Sequence, residues 1–251
     1  ETTAITPSQI EEMILPLLNE QQRELVKVDR ELDFSYMLPG GARFRVNVYY
    51  EKGNMAAAMR YIPVEIRTLE QLHLPPIIGQ LTQLKQGLVL VTGPTGHGKS
   101  TTLAAMMKRI NQERSEHIVT IEDPVEYVHA PAKSIISQRE LHSDTHSWGV
   151  ALKSVLREDP NVVLIGEMRD YETIEAALTI AETGHLVLAT LHTNSAAQTI
   201  DRIVDVFPEK EQQQIRGQLS LSLEAVIAQR LIPSEDGARV ARFTPPERRA
   251  S

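Results

Sequence analysis

An α/β fold, with a mainly parallel sheet covered on both faces and a small α+β unit ahead of it, is what this sequence predicts. Three observations carry the prediction. Beyond about residue 77, short and fully apolar runs alternate with helical patterns, as in parallel strands joined by crossover helices. Between residues 33 and 62 the period is two, and no strand–helix–strand unit occurs there. Between the first apolar run, 88–91, and the helix after it lies Gly93-Pro-Thr-Gly-His-Gly-Lys-Ser100, of the form G-x-x-x-x-G-K-S/T. At 251 residues the chain has room for two cores.

The first helix is expected from Thr6. Thr6 is a suitable N-cap, Pro7 takes the first helical position and Gln9 completes a capping box. Ile10, Met13, Ile14, Leu17 and Leu18 form its apolar stripe, with Pro16 inside the stripe to kink or end it. A second helix is expected over 20–26. From Asp33, Phe34, Tyr36 and Leu38 alternate with polar residues up to a turn at Pro39-Gly40-Gly41. Phe44, Val46, Val48 and Tyr50 then form the buried side of a second strand, 51–54 is a hairpin loop, and 55–62 is the returning strand. The prolines between 63 and 76 mark a change of regime, and His73 within them reads as solvated or packed. A helix over 77–85 leads into the strand at 88–91.

Past the glycine loop, the helix from Thr101 to Ile110 has Leu103, Met106, Met107 and Ile110 on one face. Strands follow at 117–121, 162–165 and 186–189, with helices at 148–157 and 171–183 between them. Gly184 is placed as a C-cap. Helices at 195–206 and 210–221 precede a last strand at 225–231, and the remainder, without a folding period, reads as a tail. The expected division is a first domain over 1–66, a linker over 67–76, a second domain over 77–233 and a tail over 234–251.

Composition narrows the function classes. The net charge of −7 disfavours a protein wrapped around nucleic acid. No apolar run approaches the ~20 residues that span a bilayer, and no signal-peptide pattern opens the chain. Cysteine is absent, which excludes disulfides and Cys-based zinc sites and fits a reducing cytoplasm.

The glycine loop implies a nucleoside triphosphate. The loop of Gly93, Pro94, Thr95, Gly96, His97, Gly98, Lys99, Ser100 and Thr101 would curl around the phosphates at a helix amino terminus, its three glycines letting backbone amides face them. Lys99 would reach the β- and γ-phosphates and the Ser100 hydroxyl would ligate Mg²⁺. The His97 side chain is expected to point outward. Acids stand at two strand ends: Glu122, Asp123 and Glu126 after one, Glu167 after another. Glu167 reads as the acid on the metal side, or else as an ordinary helix cap. His192, ending a third strand, is a candidate sensor of the γ-phosphate, or a structural histidine. Arg45 and Arg60 are candidates for the positive charge that phosphoryl transfer needs, or solvated residues of a sheet.

With these positions laid out, the chain resembles the secretion ATPases that power type IV pili and type II secretion, over about residues 33–230. Gly93 to Ala104 resembles their Walker A, which usually has Ser where His97 stands. Ile121-Glu-Asp-Pro-Val-Glu-Tyr127 resembles their Asp box. Leu156 to Asp170 resembles their atypical Walker B, and Gly184-His-Leu-Val-Leu-Ala-Thr-Leu-His-Thr193 their His box. Phe44-Arg-Val-Asn47 and Arg60-Tyr-Ile-Pro63 resemble the arginine-bearing segments of their first domain.

The resemblance implies a PAS-like domain, incomplete here, followed by a RecA-like P-loop ATPase domain, six such subunits forming a ring. ATP would bind between the domains and its hydrolysis would rotate one against the other. It implies Glu126 as general base, Glu167 on the Mg²⁺ side, His185 and His192 as reporters of nucleotide state, and Arg45 and Arg60 close to the γ-phosphate. It also implies a place at the cytoplasmic side of the inner membrane, at the pilus base, against a membrane platform protein. Without the four-cysteine zinc module usual in the assembly and type II secretion members, and with Ser195 to Pro208 of the retraction type, a pilus retraction motor is expected. The alternatives are a pilus-assembly or type II secretion ATPase, a RecA-like motor on nucleic acid, and a small-molecule P-loop kinase. The family's opening segment and its C-terminal helical signature are not matched here.

Overall fold

A computed structural model describes residues 5–62, 65–233 and 239–244, in two compact units, Glu1–Glu65 and Ile66–Ser251. In the first unit, α1 (Pro7–Ile14) begins at the Thr6 capping box with Gln9, and Pro16 ends it in a single 3₁₀ turn over Leu15–Leu17. α2 (Glu20–Asp29) has a second capping box, between Asn19 and Gln22, that the sequence reading missed. β1 (Glu31–Met37), β2 (Arg43–Glu51) and β3 (Asn54–Ile62) form an antiparallel meander. Lys52 and Gly53 both have positive φ, at 51° and 83°, as the two-residue hairpin between β2 and β3 requires. Leu32, Phe34, Val46, Val48 and Met55 bury one sheet face under Ile14, Leu18 and Val26 of the helices.

The second unit begins earlier than the sequence suggested. Part of the stretch expected as a linker is packed: Leu69 is 4% exposed and joins the core of this unit. α3 (Pro76–Leu81) is shorter than the helix expected over 77–85. The sheet comprises β4 (Gly87–Thr92), β5 (His117–Glu122), β6 (Ile135–Glu140), β7 (Val162–Ile165), β8 (Leu186–Leu191), β9 (Leu223–Pro233) and β10 (Arg239–Thr244). Its order is β10-β9-β4-β8-β7-β5-β6, parallel throughout except for the antiparallel pair β9–β10.

Alternate residues of β4 serve the two faces. Val89 and Val91 pack with Leu103, Met106, Met107 and Ile110 of α4 (Lys99–Glu113), the stripe read from the sequence. Leu88 and Leu90 pack on the other face, where the core is shared by α5 (Trp148–Val155), α6 (Tyr171–Glu182), α7 (Ala196–Asp205) and α8 (Glu209–Ser222). Gly184, at φ 97°, follows the end of α6.

Two strands were not expected. β6 has only two consecutive apolar residues, one of which, Ile135, is 69% exposed at the edge of the sheet. β10 occupies part of the stretch expected as a tail, and 245–251 lie outside the described residues. Both are edge strands, which need bury little and so leave a weak apolar signature.

Candidate active site

β4 runs into a loop that ends at Gly98, whose left-handed backbone (φ 82°) caps α4. Gly93, at φ 143°, lies against β9: a Cβ there would run into the carbonyl oxygen of Gln229. Gln229 is the buried joint of this contact, only 2% exposed. Its Oε1 accepts from Thr102 Oγ1 at 2.7 Å and its Nε2 donates to the His97 carbonyl at 2.8 Å. The His97 ring, expected to point outward, turns instead to β9. Its Nδ1 accepts the Leu231 N–H at 3.0 Å, which leaves the proton on Nε2. The loop is thus fixed to the neighbouring strand by backbone, by Gln229 and by His97.

Lys99, 7% exposed, folds back over the loop. Its Nζ donates to the carbonyls of Gly93 at 2.8 Å and Pro94 at 3.2 Å, and lies 3.4 Å from His192 Nδ1. Burial lowers the pKa of this ammonium, while the charges of Glu167 and Glu126 oppose that. Both acids are therefore close enough to act on the lysine that the phosphates would meet.

The carboxyl ends of β4, β8, β7 and β5 share one edge of the sheet, where ligands of such folds bind. His192, just past β8, places Nδ1 3.2 Å from Thr95 Oγ1 and Nε2 3.0 Å from Glu167 Oε1. Lys99 can only donate, so Nδ1 accepts and Nε2–H donates to Glu167. The other Glu167 oxygen meets Arg169 at 2.9 Å. Burial pushes the Glu167 carboxyl up, but Arg169 and His192 together outweigh it and hold the group below its ordinary range. Glu167 is not the cap of the following helix, since the α6 N-cap is Asp170.

At the end of β5, desolvation raises the Glu122 carboxyl to about 7, against hydrogen bonds from Thr120 at 2.7 Å and Gln138 at 3.3 Å. Glu126 follows in the loop after β5, and the next residue, Tyr127, ties that loop to α4 through Thr101 Oγ1 at 2.9 Å.

Lys99, Glu126, Glu167 and His192 are thus brought to one edge. His185 is not. It precedes β8, at the amino end, with Nδ1 3.1 Å from both Thr183 Oγ1 and the Ile180 carbonyl. A six-residue strand separates it from His192, about 20 Å at the usual rise. The two histidines therefore stand at opposite ends of β8. Arg45 and Arg60 are register partners on β2 and β3 of the first unit, and Arg45 Nε lies 3.8 Å from Asp33 Oδ1.

The donor set suits Mg²⁺. Ser100 in the first turn of α4 and Glu167 beyond β7 offer hard oxygens. No group of three or more His, Cys, Asp or Glu able to hold a metal occurs among the described residues. Mg²⁺ takes most of its ligands from phosphates and water, so one carboxylate and one hydroxyl suffice. Sequence reasoning missed Arg169 and Gln229. For Gln229 a signal existed, an uncharged polar residue directly after the apolar run Ala225 to Ala228.

Residues 14–247 match the family described as type II/IV secretion system protein, and the chain belongs to that family. It is 52% identical over 238 residues to a twitching motility protein of Neisseria gonorrhoeae, covering 94% of this chain and 64% of that one. It is 51% identical over 233 residues to the type IV pilus retractation ATPase PilT of Pseudomonas aeruginosa, covering 93% of this chain and 68% of the relative. The fold superposes on a crystal structure of the pilus retraction motor PilT with bound ADP at a TM-score of 0.89 and 50% identity, over 93% of this chain and 68% of that one. The ATPase DotB of Legionella pneumophila follows at 0.87 and 29% identity, over 96% and 69%. The chain therefore spans about two thirds of the length of these relatives. Among the described residues no helix is long and apolar enough to cross a membrane.

Proposed function

We propose that this chain is the ATP-hydrolysing part of a hexameric motor that powers type IV pilus retraction, the movement behind twitching. One observation carries the enzymatic reading: Lys99, His192 and Glu167 form a continuous chain of contacts from the phosphate loop to a strand-end acid, with Glu126 close enough to act on the same lysine. The retraction reading is supported by similarity to PilT-type proteins over 93–94% of the chain. Type II secretion relatives match a smaller share, 61–62% for three of them. An assembly or secretion ATPase is therefore the second reading.

On this reading the phosphates of ATP take the place of the Gly93 and Pro94 carbonyls at Lys99 Nζ, and the loop amides close around them. Mg²⁺, when bound, would neutralise charge across the β- and γ-phosphates, held by Ser100 and Glu167. Glu126 removes the proton from the water that attacks the γ-phosphorus, and the bond to the β-phosphate oxygen breaks to give ADP and phosphate. His192 links Lys99 and Thr95 to Glu167 and so carries the occupancy of the loop to the metal side. Arg45 and Arg60 are assigned the charge opposite the transferring group on the resemblance alone. Ring formation, the turning of one unit against the other, a membrane platform partner and a place at the inner-membrane pilus base belong to the same proposal.

Lys99→Ala and Glu126→Gln should each lower turnover by about a hundredfold or more. Lys99→Ala should also weaken nucleotide binding, whereas Glu126→Gln should not. Turnover near the unaltered value in both variants would sink the assignment.

A further inference from the structure

Glu126 lies between residues that are tied by hydrogen bonds to side chains of β6. On one side of it, Glu140 Oε2 accepts the Val125 N–H at 3.0 Å. On the other, Gln138 Nε2 donates to the Tyr127 carbonyl at 2.8 Å and Gln138 Oε1 accepts the His129 N–H at 2.8 Å. Gln138 and Glu140 are two apart on one strand and share a face. They stand in register with Thr120 and Glu122 of β5, from which the loop departs. Glu140 is 4% exposed, and its own backbone is fixed by a turn in which Asp144 Oδ2 accepts the Glu140 N–H at 2.8 Å and the Asp144 N–H returns to the Glu140 carbonyl at 2.8 Å.

A buried carboxylate and a carboxamide are therefore spent on the backbone immediately around one acidic residue. A general base works only within hydrogen-bond reach of its water, and a loop free to wander by about 1 Å can lose a hundredfold in rate. We infer that Gln138 and Glu140 are positioning residues for hydrolysis: they hold the chain on both sides of Glu126 so that its carboxylate stays at the attacking water. This rests on the reading of Glu126 as the base. Through these hydrogen bonds Gln138 and Glu140 act on the 122–129 segment and on the turn after β6, so nucleotide affinity should not depend on them.

The test compares Gln138→Met, Glu140→Met, Glu140→Gln, Glu126→Gln and the pair Gln138→Met with Glu126→Gln. ATP turnover, affinity for fluorescent ADP and hydrogen exchange of the peptide spanning 122–131 are read for each. Gln138→Met and Glu140→Met should lower kcat about ten- to a hundredfold with ADP affinity within about threefold, and should speed exchange in that peptide. Glu140→Gln, whose amide oxygen still accepts the Val125 N–H, should keep most of the turnover. With Glu126 already replaced, Gln138→Met should cost nothing further. If Gln138→Met fails to fold, the contrast between Met and Gln at 140 carries the same test. Unchanged exchange in the peptide, or ADP affinity falling in step with kcat, overturns the inference. Glu126→Gln inactive beside Gln138→Met at full turnover removes this inference alone; Glu126→Gln at full turnover removes the base, and the inference with it.

Discussion

His97 stands where its family usually has serine, and its ring supplies an acceptor to a backbone N–H of β9. The residue types alone could not reveal this, because the partner lies 134 positions away in the chain. An asparagine can place its amide oxygen near the Nδ1 position. His97→Asn should therefore keep fluorescent-ADP affinity within about threefold, whereas His97→Phe, leaving the Leu231 N–H without its acceptor, should lose about tenfold. Glu122 makes a second test at this scale. Between pH 4.5 and about 7 the folded chain keeps a proton on this carboxyl that the unfolded chain has shed. Stability therefore falls as pH rises through that window and levels off above it, by at most about 3 kcal/mol. Thermal melts without nucleotide should show that slope, and Glu122→Gln should abolish it and melt higher at pH 8.

Elements with a strong apolar period were legible: α4, α6 and the buried strands β4, β7 and β8 stand where the pattern put them. The misses share a cause. β6 and β10 lie at the two ends of the sheet order, where polar residues satisfy the pairing as well as apolar ones do. The unread β6 is nevertheless the strand whose side chains reach the Glu126 loop, so the sequence pattern was weakest where function draws on hydrogen bonds instead of burial. Caps behaved unevenly. Thr6 was read because proline and glutamine follow it at the right places, while Asn19 repeats the device with less conspicuous neighbours. Asn19→Ala should cost about 1 kcal/mol of stability by denaturant unfolding, with no effect on nucleotide binding through the second unit.

At the scale of the whole molecule, the two units have separate cores, one antiparallel and one largely parallel, as the change of period near residue 63 indicated. Glu167 and His192 meet because parallel strands deliver all their carboxyl ends to one edge, while the beginning of β8, with His185, goes to the far edge. A ring-forming motor has a direct signature in solution. Light scattering with a non-hydrolysable ATP analogue should report a hexamer, and a mass that stays monomeric at every concentration would remove the ring from the proposal.

Lys99 is never without an acceptor, since the carbonyls of Gly93 and Pro94 hold its ammonium before any phosphate arrives. Emptying the site after hydrolysis therefore strands no desolvated cation: the amine swings from the departing phosphate to the loop that carried it. If the chain works as the proposed motor, that return position lets the loop reset itself each time nucleotide leaves.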